Sequence, residues 1–339
     1  MPHAINNLGS KDMKPKIERV SQDLIKAAPE YISETTFGFL IDLWLESFYQ
    51  NLPTIRANPS ITELPKISKQ PCILIGGGPS LTQYNHLEMI RQSGWKHPIF
   101  CCDKMFRETI RKGIVPQIVS SVDGSPKLAQ FYTGLEHNKQ ASLVKAVFSL
   151  IVHPKTVHAW GRKAYWFTPI MDAVIGPKKG ANKKTVTWIL HSLSRGKAMM
   201  SGTGQVGSFL WNLAAELGAS PIILVGFDFS EQVQDKADAV YFQPLTHMFL
   251  QETKGDVKAA QDKAALLHQV EENPDFHRFY LVNPIWKRYR ETLKKHITSS
   301  KIHTINCTEN GCLHTQAITC KNFEAMPLEK ALKKYSQRP

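Results

Sequence analysis

The chain has 339 residues, of which 42% are hydrophobic and 21% charged, so it carries enough apolar sequence for a sizeable core. Its formal net charge of +13 favours anionic partners: nucleotides, acidic glycans, membrane surfaces or nucleic acid. No arginine-rich helix or zinc-finger spacing singles out nucleic acid, which is the least favoured partner of the four.

The opening MPHAINNLGSKDMKPK is polar and does not read as a signal peptide. Residues 1–65 read as helical. IERVSQDLIKAAPEYI and FGFLIDLWLESFYQNLPTI both place apolar residues at three- and four-residue spacing. The second run carries Asp42 and Glu46 and falls short of the ~18–20 apolar residues of a membrane span. It is an amphipathic helix, peripheral membrane contact through it stays open, and a cytoplasmic protein is expected. Pro53, Pro59 and Pro65 then break the helical pattern, and a boundary falls near residue 66.

From residue 71 short apolar runs alternate with helical segments. PCILIG is a strand followed by the helix YNHLEMIRQSG. PIFCCD precedes the helix KMFRETIRKG, and PQIVSSVD precedes SPKLAQFYTGL. LVKAVFSLIV and AYWFT are further strands, KKTVTWILHSLSR and VGSFLWNLAAELG are helices, and PIILVGFD is the most convincing strand in the chain. TKGDVKAAQDKAALLHQVEEN and PIWKRYRETLKKHIT read as charge-rich helices. KIHTINC is a last strand and FEAMPLEKALKKY a terminal helix. Such alternation, with strands apolar on both faces, implies a Rossmann-like α/β fold. A mostly parallel sheet carries helices on both faces, with a helical N-terminal extension and a helical C-terminal region. The expected division is 1–65, 66–320 and 321–339.

The strand PCILIG runs into Gly76, Gly77, Gly78, Pro79 and Ser80. Glycines at a strand end let backbone approach a phosphate closely, and a following helix offers free N–H groups to an anion. Leu81 stands where a third glycine would complete a dinucleotide fingerprint, so a plain tight turn is the alternative. Asp103 ends the next strand, placed either to hold ribose hydroxyls or to cap the helix that follows. Asp123 ends the third, in SSVDGSP, as a ligand for a metal, sugar hydroxyl or amine, or as an Asp-Gly turn. Further on, SGTGQVGSF holds Gly202, Gly204 and Gly207 in G-x-G-x-x-G spacing, and Asp228 follows about 20 residues later. The strand before it would be only KAMM. A second glycine-lined anion site is therefore the better expectation, with Ser201, Thr203 and Ser208 as donors. GPKKGANKK carries Lys178, Lys179, Lys183 and Lys184, a phosphate clamp or a solvated loop. His247 follows the last good strand by about twenty residues and is a candidate base. Of the six cysteines, Cys72, Cys101 and Cys102 lie in strands as buried thiols. Cys307, Cys312 and Cys320, with His314, lack a C-x-x-C knuckle and read as reduced cysteines in a small sheet element.

PCILIGGGPSL, FCCDKMFRETIRKGIVPQIVSSVDGSP and SGTGQVGSFLWNLAAELGASPIILVGFDFS, in that order, resemble a domain shared by two groups. One is the archaeal 6-hydroxymethylpterin diphosphokinases (MptE-like). The other is the bacterial motility accessory factors (Maf), linked to flagellin glycosylation. INCTENGCLHTQAI resembles the N-x-T-E-G-G segment that follows that domain, and NLPTIRANPSITEL resembles the lead-in of the Maf-like members. The resemblance covers about residues 45–320. The domain is also similar to bacterial sialyltransferases, whose glycine-proline-serine loop and TSG…ALG…GIDF stretch match Gly76–Leu81 and Ser201–Phe229.

The resemblance implies one of two reactions. A diphosphokinase moves pyrophosphate from ATP to a pterin alcohol with Mg²⁺ held by carboxylates, here Asp123 and Asp228. The archaeal enzymes carry an H-x-H-x-D-N signature that SLIVHPKTVHAWGRK lacks. A sialyl-type glycosyltransferase uses a nucleotide-activated acidic sugar of the CMP type and a histidine base, here His247, without a metal cofactor. The basic balance and the lysine loop suit that acidic donor. The glycosyltransferase is the favoured expectation, with a protein or small-molecule acceptor. A non-catalytic nucleotide-binding or scaffold protein is the remaining alternative.

Overall fold

The computed structural model describes residues 22–171, 185–201, 205–232, 249–265, 267 and 269–336. The chain divides into two compact units. One comprises Asp42–Phe227, Thr292–Glu309 and the residues from Thr319 onward. The other comprises the described residues up to Ile41, Asp228–Glu291 and Asn310–Ile318.

The first element among the described residues is one long helix, α1 (Gln22–Ala57). Pro53 does not break it, contrary to the reading of the sequence. Proline there removes one N–H and frees one carbonyl, and Pro53 is exposed, so water can take the freed group. Next come β1 (Cys72–Ile75), a single turn α2 (Ser80–Gln83) and α3 (His86–Gln92). Asn85, at φ +53°, separates the two helices. They are followed by β2 (Ile99–Cys102), α4 (Asp103–Arg111), β3 (Ile118–Ser121) and a 3₁₀ segment, Pro126–Phe131. Then β4 (Lys145–Ser149), α5 (Pro154–Trp160) and β5 (Ala164–Pro169) follow. α6 (Val186–Leu193) is capped by Thr185, whose hydroxyl accepts the Trp188 N–H. β6 (Met199–Met200) leads to α7 (Val206–Glu216), capped by the Gln205 side chain, and to β7 (Ile222–Val225). After the smaller unit the chain returns through β11 (Thr304–Asn306), β12 (Phe323–Ala325) and α10 (Leu328–Tyr335). Phe323–Ala325 was expected as helix. Its pairing with β11 holds it extended, Thr304 opposite Phe323.

Among the described residues of the sheet unit, nine parallel strands lie in the order β12-β11-β7-β1-β2-β3-β4-β5-β6. The chain starts at β1, winds outward to β6, then returns to the other side of β1 with β7. The switch point therefore lies between β1 and β7, and ligands of open parallel sheets bind at the carboxyl ends there. β1, β2, β3 and β7 are buried along their whole length. On one face Phe148 and Trp166 meet at 5.7 Å and Tyr132 packs on Phe106, Phe148 and Trp160. Next along β5, Phe167 stacks on Phe209 of α7 at 4.1 Å, as strand alternation requires. Each such fully buried side chain contributes about 1.5–3 kcal/mol.

The smaller unit contains β8 (Glu231–Gln232), α8 (Val257–Ala265), β9 (Gln269–Asn273), β10 (Arg278–Val282) and the start of α9 (Pro284–Ser299). Its strands are antiparallel in the order β8-β10-β9. The helix expected across TKGDVKAAQDKAALLHQVEEN covers only Val257–Ala265. QVEEN is a strand because β10 supplies its hydrogen-bonding partner, from Arg278 opposite Asn273 to Val282 opposite Gln269.

Candidate functional site at the carboxyl edge

The turn after β1 is tied to the end of β7. The Gly76 N–H donates to the Val225 carbonyl at 2.8 Å and the Gly78 N–H to the Gly226 carbonyl at 3.0 Å. A Cβ on Gly76 would lie 2.4 Å from the Gly226 oxygen, so this glycine is required by backbone approaching backbone. Gly226 itself sits at φ +74°, against Leu81. Gly77 differs. A Cβ there would meet only the flexible Lys104 side chain, 3.1 Å away, and Cys102 Sγ at 3.7 Å. Its N–H meets no acceptor among the described residues, while its carbonyl accepts Lys104 Nζ at 3.1 Å. The face of the turn at Gly77 is therefore open and cationic at its edge. The following helix is shorter than the sequence suggests. Four residues give little dipole, so any anion here must be held by the turn and by Lys104. Ser80 is buried.

Two carboxylates stand at the ends of the next two strands. Asp103 is the first residue of α4 and is 7% exposed. Its Oδ1 accepts the Lys104 N–H at 2.7 Å, and its Oδ2 accepts the Ser121 hydroxyl at 2.7 Å. Ser121 Oγ also lies 2.9 Å from the Tyr132 hydroxyl, which is wholly buried. Burial raises the Asp103 carboxyl to about 6. The hydrogen bonds from Ser121 and Lys104 act in the other direction, and the neighbouring charge of Asp123 adds to the rise. Asp123 Oδ1 accepts the Ser125 N–H at 2.9 Å, forming the Asx turn expected of Asp-Gly-Ser. The residue is exposed, yet enough protein surrounds it for desolvation to raise its carboxyl, against the N–H groups of Ser125 and Gly124. Gly124 is again a packing glycine, since a Cβ would strike the Trp44 ring at 2.4 Å and the Ile151 carbonyl oxygen at 2.9 Å.

In the second glycine motif, Gly207 is buried in α7, and a Cβ would lie 2.8 Å from both Phe227 and the Gln205 side chain. Ser208 is buried and gives its hydroxyl hydrogen to Gln205 Oε1 at 3.0 Å. The Ser201 carbonyl accepts Asn212 Nδ2 at 3.1 Å. Gly202, Thr203, Gly204, His247, Lys178, Lys179, Lys183 and Lys184 lie outside the described residues. Asp228 belongs to the smaller unit. It is 2% exposed and its Oδ1 accepts Asn310 Nδ2 at 3.3 Å. Gly311, at φ +76°, packs so tightly on it that a Cβ would lie 2.2 Å from the Asp228 carbonyl oxygen. The same segment is held by the Tyr280 hydroxyl on Asn310 Oδ1 at 2.5 Å and by Asn273 Nδ2 on the Gly311 carbonyl at 2.6 Å.

Reading the sequence alone missed Lys104, Ser121 and Tyr132. Two hydroxyls at the end of IVSS, just before Asp123, were a signal for Ser121. A hydroxyl inside an apolar sheet requires a partner. Tyr132 gave none. It also missed the pair His86 and Glu309. His86 Nε2 lies 3.2 Å from Glu309 Oε1, which also accepts the Leu328 N–H at 2.9 Å and so anchors α10. Burial pushes the Glu309 carboxyl up, but the bonds from His86 and Leu328 outweigh it and hold it below its ordinary value.

A family model described as 6-hydroxymethylpterin diphosphokinase MptE-like matches residues 46–234. No curated protein matches the chain. Among solved structures, a MAf glycosyltransferase from Magnetospirillum magneticum AMB-1 aligns with 96% of this chain, at TM-score 0.54 and 14% identity. The match spans 43% of that longer chain and speaks for the fold. A prephenate dehydrogenase from A. aeolicus, solved with hydroxyphenyl propionate and NAD+, matches 68% of this chain and 85% of its own at 13% identity. Its TM-score of 0.19 carries no argument. All six cysteines are free thiols. No helix among the described residues is long and apolar enough to cross a membrane.

Proposed function

The chain belongs to the MptE-like family, and from that premise we propose that it is a nucleotide-dependent transferase whose donor is a nucleotide-activated acidic sugar of the CMP type. The observation that carries this reading is the open face at Gly77. It offers an N–H with no acceptor among the described residues and a neighbouring lysine, at the switch point of a parallel sheet. Family membership and the likeness in fold to a glycosyltransferase support group transfer as the reaction class.

In this reading the donor phosphate lies along Gly77–Ser80, with Lys104 at its edge. Lys178, Lys179, Lys183 and Lys184 clamp the acidic donor. The acceptor hydroxyl approaches on the side of Asp123. Its oxygen bonds to the anomeric carbon as the bond from that carbon to the phosphate oxygen breaks. The electron pair leaves with the nucleotide, and the acceptor proton passes to a base. Asp123 is exposed and its carboxyl is raised above its ordinary value by desolvation, which makes it a stronger base for that proton. His247 is the other candidate. Asp103, held at about 6 and bonded to Ser121, fixes the charge beside it.

The family description favours a second reading, pyrophosphate transfer from ATP with Mg²⁺. Magnesium takes one or two carboxylates, its own waters and the substrate phosphates. Asp123 fits that demand, whereas Asp228 is buried and receives the Asn310 amide. Bound there, the ion would neutralise charge on the transferred group. Donor turnover separates the two readings. The glycosyltransferase predicts release of CMP from a CMP-activated acidic sugar, undiminished by EDTA. Turnover of ATP alone, abolished by EDTA, would contradict it.

A further inference from the structure

A concavity of about 610 Å³ opens on the sheet unit beside α1 and α5. Asn51 and Thr54 of α1 line it, with His158 of α5 and Arg162 and Lys163 just beyond. None of its lining residues belongs to the turns after β1, β2 or β3. Two of its side-chain amides are already used. Asn51 Nδ2 donates to the Val152 carbonyl at 2.7 Å, and Asn58, also on the wall, donates to the Thr54 carbonyl at 2.8 Å.

Arg162 is the exception. Its guanidinium lies over the Trp160 ring, 3.9 Å from the centroid. Nε and Nη1 are both buried with no hydrogen-bond partner. A shielded cationic N–H without an acceptor is costly. Burial draws the Arg162 pKa below its ordinary value, opposed only by the charge of Glu136. That carboxylate is exposed and holds the Gly134 N–H at 2.9 Å. The cations are also more than the end of α5 requires, because a seven-residue helix has a small dipole.

We propose that this concavity is a second anion site, which takes the phosphate of a small molecule of nucleotide or sugar-phosphate size on Arg162, with Lys163 and His158 at its rim. Nη2 is the guanidinium nitrogen that is not enclosed, and it can donate to a phosphate oxygen with the charge of Lys163 beside it. The volume suits such a molecule. The inference does not depend on the transfer reaction.

Hydrogen exchange with and without pyrophosphate, on the full chain, tests it. Amides of residues 154–163 should slow when pyrophosphate is added, in wild type and in Gly77→Val alike. Arg162→Gln should weaken that response at least tenfold, and Arg162→Lys should restore part of it. The ligand-free melting temperature of Arg162→Gln should stay within a few degrees of wild type, because two enclosed N–H groups without acceptors are removed along with the contact to Trp160. That result separates lost binding from lost fold. No slowing at 154–163, or the same slowing in Arg162→Gln, would overturn the proposal.

Discussion

The turn after β1 and the turn after β3 carry the same division of labour in different residues. In the first, Gly76 is filled against Gly226, and Gly77 is left open. In the second, Gly124 is filled against Trp44, and Asp123 is left open. Each turn spends one glycine on the fold and leaves the residue beside it open. A glycine motif is thus two statements, and what a Cβ would strike tells them apart. The sequence shows glycines in both turns but not which of them has a neighbour.

Four substitutions probe the comparison. Gly76→Val should have the largest effect, because the new side chain must displace the Gly226 backbone. A loss of about 3 kcal/mol or more is expected in urea unfolding. A loss below 1 kcal/mol would mean the two turns are not locked together. Gly124→Ala should cost about 2 kcal/mol, since the added Cβ would lie 2.4 Å from the Trp44 ring and 2.9 Å from the Ile151 carbonyl oxygen, a looser backbone approach than at Gly76. A melt indistinguishable from wild type would remove the packing role from Gly124.

Asp103→Asn should act in the opposite direction. The folded protein holds this carboxyl at about 6, well above its ordinary value of 3.8. As pH rises through that window, the unfolded chain gives up a proton that the folded chain keeps. Stability therefore falls between about pH 4 and 6 and then levels off. The asparagine variant escapes that loss, so it should be more stable than wild type at pH 7 by about 1–3 kcal/mol, with the gap closing near pH 4. A gap of equal size at both pH values would contradict the linkage. The smallest change in stability belongs to Gly77→Val. Gly77 is not among the residues with positive φ, and its nearest neighbour is a flexible lysine, so less than about 1 kcal/mol is expected.

The sheet unit was far easier to read than the smaller one. β1, β2, β3 and β7 are short apolar runs buried on both faces, a pattern that composition alone carries. β9 reads QVEEN, rich in helix formers, and only its pairing with β10 makes it a strand. The smaller unit is held by polar side chains, such as Asn273 on Gly311 and Thr315 on Asp275 at 2.6 Å. Polar pairings of that kind have no period to detect. At the candidate site, the glycines and acids at strand ends were legible because strand ends are. The Asp103–Ser121–Tyr132 chain was not, because Tyr132 reaches Ser121 through the fold rather than through spacing.

The central claim is that the open face at Gly77 admits the donor phosphate. Calorimetric titration of wild type and Gly77→Val with CMP, and separately with ATP with and without Mg²⁺, tests it most directly. The account predicts metal-independent CMP binding to wild type, and none to a Gly77→Val protein that melts within a few degrees of it. CMP binding of equal affinity to both proteins would contradict it.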